Sequence, residues 1–241
     1  MSEQTIVRGM TRADITAGMV LKDLAGWNQL PLDWERFLAF EPGGCFVVEV
    51  EGRLVGTASS ISYEDRFGWI GMVLVHPDMR RRGLGRRLLE ACIEYLEQVG
   101  VAAIKLDATP AGKPLYETLG FVDEYPLCRW CGEGTPQTTG DEHLRPLTMD
   151  SLSQLLALDC PVFGANRERV LACLLGETTI RTVGYFSAGG TLEGYVAVRP
   201  GQNACYLGPW IATDPRVAQV LWQWGLQQVA GRPVYVDTLG P

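Results

Sequence analysis

Apolar residues recur along the chain with two different periods, and the switches between them outline its elements. Leu84, Leu88, Leu89, Cys92, Ile93, Leu96 and Val99 keep the three- to four-residue spacing of one helix face, which predicts a helix over 84–99 stopped by Gly100. Just before it, 68–75 is an almost unbroken apolar run with β-branched residues, the pattern of a strand covered on both faces. Upstream, the pattern predicts a strand over 6–10, a helix opened by the capping box Thr11-x-x-Asp14, a helix over 33–40, and strands over 46–50 and 54–63.

The second half repeats this punctuation. Arg145-Pro-Leu-Thr148 answers Arg8-Gly-Met-Thr11, and Gly164-Ala-Asn166 answers Gly26-Trp-Asn28. The interval from Gly190 to Pro215 equals that from Gly52 to Pro77, 25 positions. Two copies of one fold is the economical reading. In the second copy the pattern predicts helices over 149–158, 166–175 and 215–229, with strands over 179–186, 192–198, 204–212 and 234–237. Between the copies, Gly132 to Glu142 gathers Gly, Thr, Pro and acidic residues without apolar periodicity, which is linker composition. The expected division is therefore 1–131 for the first domain, 132–142 for the linker and 143–241 for the second domain.

A length of 241 residues suits two domains of ordinary size. The formal net charge of −7 excludes a generic nucleic-acid binder, which needs a basic surface. No apolar run approaches the roughly 20 residues of a membrane span, and Met1-Ser2-Glu3-Gln4 lacks the basic and apolar regions of a signal peptide. A soluble, cytoplasmic protein with no membrane partner is expected. The seven cysteines are scattered and read mostly as buried free thiols. Cys128-x-x-Cys131 has no second pair and no suitably spaced histidines, so no metal site is expected. Nothing in the pattern sets an oligomeric state.

The chemistry concentrates where the apolar strand meets the helix. Five arginines fall between Arg80 and Arg87, interleaved with Gly83 and Gly85. Glycines let the backbone curl and aim successive N–H groups at a ligand, and the helix behind adds the positive end of its dipole. The natural guest is a phosphate, the alternative being a solvated charge run over Arg80 to Arg82. The longer pattern Arg80-x-x-Gly83-x-Gly85 resembles the acetyl-CoA pyrophosphate loop of the GNAT superfamily of N-acetyltransferases. Residues 106–121, LDATPAGKPLYETLGF, are similar to that family's last strand, a loop, a short helix carrying Tyr116, and a closing Gly-Phe. Where the family often has Asn, seven positions before the tyrosine, this chain has Thr109.

The resemblance covers essentially the whole chain. It implies an α/β (α+β) fold of two tandem GNAT-like domains, each a mixed, largely antiparallel central sheet flanked by helices. It also implies transfer of the acetyl group of acetyl-CoA, as co-substrate, directly to an amine of a small-molecule acceptor. The alternative is a catalytically idle CoA-binding sensor or interaction module. In GNAT domains two central parallel strands splay apart and pantetheine pairs with the backbone of the first, here Met72, Val73, Leu74 and Val75. A main-chain N–H there can hold the carbonyl oxygen. The resemblance assigns the pyrophosphate to Arg80, Arg81, Arg82, Gly83, Leu84, Gly85 and Arg86, with Thr109 beside pantetheine. Tyr116 matches the residue that protonates the departing sulfur, the alternative being a core tyrosine. Acceptor contacts fall to Trp27 and Asn28, between the first two helices, and to Tyr63 near the end of the third strand, although Trp27 equally fits a core plug. The base is not legible: the family commonly uses a distant carboxylate through water, and Glu49, Glu64, Asp65 and Asp107 all lie on expected strands or strand ends, where each taken alone reads as a surface residue.

The second copy has Asp214-Pro-Arg216 where the first has its glycine turn, and without the glycines it should not cradle a pyrophosphate well. It resembles the divergent second domain of bacterial two-domain GNAT proteins, whose Asp-x-x-x-Phe-Gly-x-x-Arg signature appears here as Asp159, Phe163, Gly164 and Arg167. These residues either reach the acceptor groove or form an ion pair that braces the domain interface. No segment after the last strand corresponds to the Tyr116 helix, as in a trimmed chain or an incomplete repeat.

Overall fold

Apolar alternation closes a run of short strands into a first sheet. β1 (Thr5–Gly9), β2 (Cys45–Val50), β3 (Arg53–Tyr63), β4 (Phe67–Val75) and β5 (Ile104–Leu106) pair in that order, antiparallel except for the parallel β4–β5 pair. The structure is a computed structural model that describes residues 3–136 and 140–240. A parallel pair requires a crossover. α3 (Leu84–Val99) supplies it and lays Leu84, Leu88, Leu89, Cys92 and Leu96 into the apolar cluster on one face of the sheet. α1 (Ile15–Leu24) and α2 (Pro31–Phe40) serve the other cluster, where the fully buried Trp34 packs with Ile15, Leu21, Cys45, Val47, Met72 and Leu74. The short α4 (Lys113–Glu117) follows β5.

Regular pairing fails within β4. Ser59 opposes Gly71 and Thr57 opposes Leu74, so β4 carries one residue more than β3 over this stretch. Met72 takes φ 55 and forms a bulge. One extra residue reverses the phase of side-chain alternation. Ile70 accordingly packs with α3, whereas Met72 and Leu74 pack with α1 and α2, and Val73 and Val75 return to the α3 side. Pairing with β5 covers only Gly68, Trp69 and Ile70. Beyond the bulge the two strands part.

A second unit repeats the topology. β7 (Leu144–Pro146), β8 (Arg181–Phe186), β9 (Leu192–Arg199), β10 (Cys205–Ala212) and β11 (Pro233–Leu239) are again antiparallel except for the last pair, which α7 (Pro215–Gln228) connects. α5 (Leu152–Phe163) and α6 (Glu168–Gly176) pack on this sheet with Leu155, Leu171 and Leu174. β10 slips register as β4 does, between Leu207 and Trp210, at a cis Gly208–Pro209 bond. Among the described residues, no helix is long and apolar enough to cross a membrane.

The sixth strand of this second sheet was not predicted. β6 (Leu127–Glu133) pairs along its whole length with β11, from Glu133 opposite Pro233 to Leu127 opposite Leu239. It is exposed along nearly all its length, so it has no apolar alternation to betray it. The division expected after residue 131 falls inside this strand, and the chain instead separates into Met1–Glu124 and Tyr125–Pro241. Residues 137–139 of the expected linker lie outside the described residues. α5 also runs on through Pro161 to Phe163, beyond its expected end, and stops where Gly164 takes a left-handed φ of 91.

Arg8 ties β1 to the start of α1. Its guanidinium donates to both oxygens of Asp14 at 2.8 Å and through Nε to Glu49 at 3.0 Å. The Arg8 hydrogen bonds, helped by the N–H and hydroxyl of Thr11, hold the Asp14 carboxyl well below the usual carboxylate range. A carboxylate depressed in the folded state contributes stability above its unfolded pKa, about 3.9. That contribution is lost as the pH falls through and below this value. Urea unfolding between pH 6 and pH 2.5 should therefore show a shallower acid loss in Asp14→Asn than in the wild type. Identical profiles would mean that the pair contributes nothing.

Candidate functional site

Backbone geometry at the end of β4 determines which groups are open to a ligand. The His76 N–H donates to Val55 O at 2.8 Å. Strand alternation then points the Leu74 N–H at β3 and turns those of Val73 and Val75 away, to the side that β5 has left. The hydroxyl of the fully buried Thr57 donates to Met72 O at 2.8 Å.

β4 leads through a single helical turn, Pro77–Met79, into the glycine turn. Gly83 is the N-cap of α3 at φ 78, a conformation that disfavours any side chain, and no side chain caps the helix there. The Arg87 N–H returns to Gly83 O at 3.2 Å. The N–H groups of Leu84, Gly85 and Arg86 precede it and have no acceptor within the helix. Such an end, with the helix dipole behind it, favours an anion.

Most of the arginines are tied inward. Arg80 Nε donates to Val75 O at 3.2 Å, Arg82 to Met79 Sδ at 3.0 Å, Arg86 to Thr118 Oγ1 at 2.6 Å and Arg87 to Thr5 O at 3.5 Å. Arg82 also pairs with Glu3. Arg81 takes a left-handed φ of 62 and makes no such bond among the described residues.

The second sequence motif packs directly against the first. A Cβ on Gly85 would stand 3.3 Å from Leu115 Cδ2 of α4, and Arg86 reaches Thr118 just beyond α4. Tyr116 shares one apolar cluster with Leu84, Val73 and Val75. Thr109 starts α4: its carbonyl accepts from the N–H groups of Gly112 and Lys113, both at 2.9 Å, and its hydroxyl from Gly112 at 3.2 Å. The Tyr116 side chain is 8% exposed and lies edge-on to Phe121 at 6.2 Å. Its hydroxyl has no protein partner among the described residues. Burial pushes its phenol above the ordinary value, which keeps the proton on at neutral pH.

The other candidates in this unit lie elsewhere. The backbone N–H of Trp27 donates to Lys22 O at 3.1 Å and its side chain packs against the α1–α2 cluster, while Asn28 is 3% exposed. Tyr63 pairs with Phe67 at the opposite end of β4 from the glycine turn, ring centroids 5.5 Å apart. The Glu49 carboxylate is held by Arg8. Glu64 and Asp65 form the β3–β4 turn, and Asp107 follows β5.

In the second unit Asp159, Phe163 and Arg167 form one cluster. Arg167 donates to the two oxygens of Asp159 at 2.7 and 2.6 Å, and its guanidinium lies 4.1 Å from the Phe163 ring centroid. The Tyr195 hydroxyl of β9 donates to the same carboxylate. Asp159 is fully buried. Sequence reasoning missed Tyr195, which sits unmarked among the apolar residues of its strand. It also missed Thr57, whose signal was a hydroxyl in a strand buried on both faces. The start of α7 contrasts with that of α3. Asp214 Oδ1 accepts from the N–H groups of Arg216 at 2.8 Å and Val217 at 3.1 Å, so this helix end already holds a carboxylate.

Residues 19–121 match the Acetyltransferase (GNAT) family, and residues 155–240 match an Acetyltransferase (GNAT) domain. Holothin acyltransferase of Pseudoalteromonas sp. (strain SANK 73390) is 27% identical over 207 residues, 85% of this chain and 69% of that protein. The uncharacterized N-acetyltransferase YitH of Bacillus subtilis (strain 168) is 33% identical over 152 residues, 62% of this chain; the alignment spans 52% of that protein's length. A crystal structure of a Pyrococcus horikoshii protein described as an acetyltransferase shares the fold. Its TM-score is 0.80 at 24% identity, over 98% of this chain and 79% of that one.

The Asp159 cluster gives a prediction that separates bracing from ligand contact. Arg167→Met keeps bulk but leaves a buried carboxylate with the Tyr195 hydroxyl and no cation, a loss of about 3–5 kcal/mol. Urea unfolding followed by tryptophan fluorescence should show that loss, with binding of CoA to the folded variant unchanged. Unchanged stability with altered ligand binding would assign the cluster to a ligand.

Proposed function

Because the chain belongs to the GNAT acetyltransferase superfamily, with two of its domains in tandem, we propose that its first unit transfers the acetyl group of acetyl-CoA, its co-substrate, to the amine of a small acceptor. The observation that carries this reading is the uncapped start of α3 packed against the helix of Tyr116. The equivalent helix end in the second unit is filled by Asp214, whose charge and bonds leave no place for a phosphate. Donor binding therefore belongs to the first unit.

In this reading the backbone from Arg81 to Arg86 takes the pyrophosphate, and the β4 edge at Val73 and Val75 pairs with the pantetheine amides. One of these N–H groups polarises the thioester carbonyl. As the amine nitrogen bonds to the carbonyl carbon, the carbon–sulfur bond breaks. Tyr116 gives its proton to the leaving sulfur and regains one from solvent, while the amine sheds its extra proton to water. The products are an amide and CoA thiol. We assign the acceptor to the side of Trp27, Asn28 and Tyr63. The names of the two relatives, one an acyltransferase for holothin and one an N-acetyltransferase, support a small amine acceptor. The seven free cysteines fit a cytoplasmic setting.

Two measurements test this. Calorimetric titration should give one CoA per chain, and Gly83→Val should weaken it about tenfold or more, roughly 1.4 kcal/mol, since a β-branched residue resists the left-handed turn. Two CoA per chain would overturn the assignment of donor binding to the first unit alone, and unchanged affinity in a folded Gly83→Val protein would remove the loop from the site. An amine panel with acetyl-CoA and thiol detection should identify an acceptor, and with it Tyr116→Phe should lower kcat about 100-fold at unchanged acetyl-CoA affinity. Wild-type turnover in that variant would leave protonation to water, and no turnover with any amine would favour an idle CoA-binding module.

A further inference from the structure

Thr57 is a fully buried hydroxyl in the middle of β3, and its partner is the carbonyl of Met72, which with Val73 lies between the paired positions Gly71 and Leu74, opposite the single residue Ala58. The extra residue of a bulge stands outside the ladder. A non-glycine residue at positive φ, as Met72 is, persists only where its surroundings over-determine it. The neighbouring Ser60 does not help, because its hydroxyl donates to Gly44 O at 2.9 Å.

A trans peptide holds its C=O and N–H on opposite sides of one plane. The Met72 carbonyl and the Val73 N–H belong to the same peptide. A hydrogen bond that draws the Met72 oxygen toward β3 therefore aims the Val73 N–H the other way, into the gap left by β5. We propose that Thr57 is a positioning residue for acyl transfer: its hydroxyl locks the Met72–Val73 peptide so that the Val73 N–H meets the thioester carbonyl. The proposal rests on the reading of the first unit as an acetyl-CoA site. Valine in place of Thr57 keeps the shape but leaves the buried Met72 carbonyl unpaired, and the peptide is then free to turn toward another donor.

The test uses acetyl-CoA labelled with carbon-13 at the acetyl carbonyl and needs no acceptor. Isotope-edited infrared difference spectra of the full chain should show the bound carbonyl stretch lowered from its value in free acetyl-CoA. Thr57→Val should lose most of that shift while calorimetry shows acetyl-CoA binding retained, and Thr57→Ser should restore it. If the valine variant does not fold, Thr57→Ala, which removes the hydroxyl without adding a methyl in its place, repeats the comparison. With an acceptor in hand, kcat of the hydroxyl-less variant should fall about 100-fold, the effect of losing one carbonyl donor, at nearly constant KM for acetyl-CoA. An unshifted carbonyl in the bound wild type, a full shift without the Thr57 hydroxyl, or a serine variant as defective as the valine one would each overturn the proposal. A wild type that binds no acetyl-CoA would overturn it together with the donor-site reading, and calorimetry distinguishes that case from the others.

Discussion

A strand in the middle of a sheet can offer its backbone to a ligand only where a neighbour stops pairing with it. β4 meets that condition because it carries one extra residue. Met72 re-phases the strand, so that Ile70 before it and Leu74 after it, which unbroken alternation would put on one face, face opposite clusters. It also coincides with the point where β5 departs. The unpaired edge, the turn that follows it and the helix behind are consecutive in the chain. Chain order brings them together, and contacts from β3, β1 and the segment after α4 hold them in place.

The two units show how little has to change for such a frame to open or close a helix end to an anion. Both have a strand that slips register and then a crossover helix. They differ at the residue before the helix. Gly83 adopts a positive φ and contributes no side chain, which leaves the first N–H groups of α3 free for a guest. Asp214 adopts an extended conformation and folds its own carboxylate over the same groups in α7. An aspartate cap stabilises a helix while excluding a second anion by charge and by occupancy. In the second unit the cap serves folding, and Asp159, Arg167 and Tyr195 form a buried hydrogen-bonded cluster.

Legibility from sequence followed burial. α3 has one apolar stripe and was readable to the residue, 84–99. The extent of β4 was readable as well, but its bulge was not. A run that is apolar at every position has no alternation to break, so a change of phase at Met72 leaves no mark in the residue types. β6 failed for the opposite reason, since its outward side chains carry no pattern and its place is decided by the edge of β11. The glycine turn was legible because a φ of 78, as at position 83, favours glycine over any residue with a side chain. Thr57 and Tyr195 were not, because their meaning lies in partners 15 and 36 positions away.

The arginine run illustrates how charge and geometry separate. Read as residue types, five arginines between Arg80 and Arg87 suggest a cluster of phosphate-gripping side chains or a solvated patch. In the fold, Arg80, Arg82, Arg86 and Arg87 instead grip the protein, reaching Val75, Met79, Thr118 and Thr5. These contacts fasten the turn to β4, to the segment after α4, and to β1. Their positive charge still acts on the turn, because the local field depends on where the charges sit and not on which oxygen each one touches. A loop fastened in this way gives up little conformational entropy on binding, so more of the attraction to an anion is realised as affinity. In the proposed donor site the specific contacts fall to the backbone N–H groups, whose directions are set by Gly83 and by the first turn of α3.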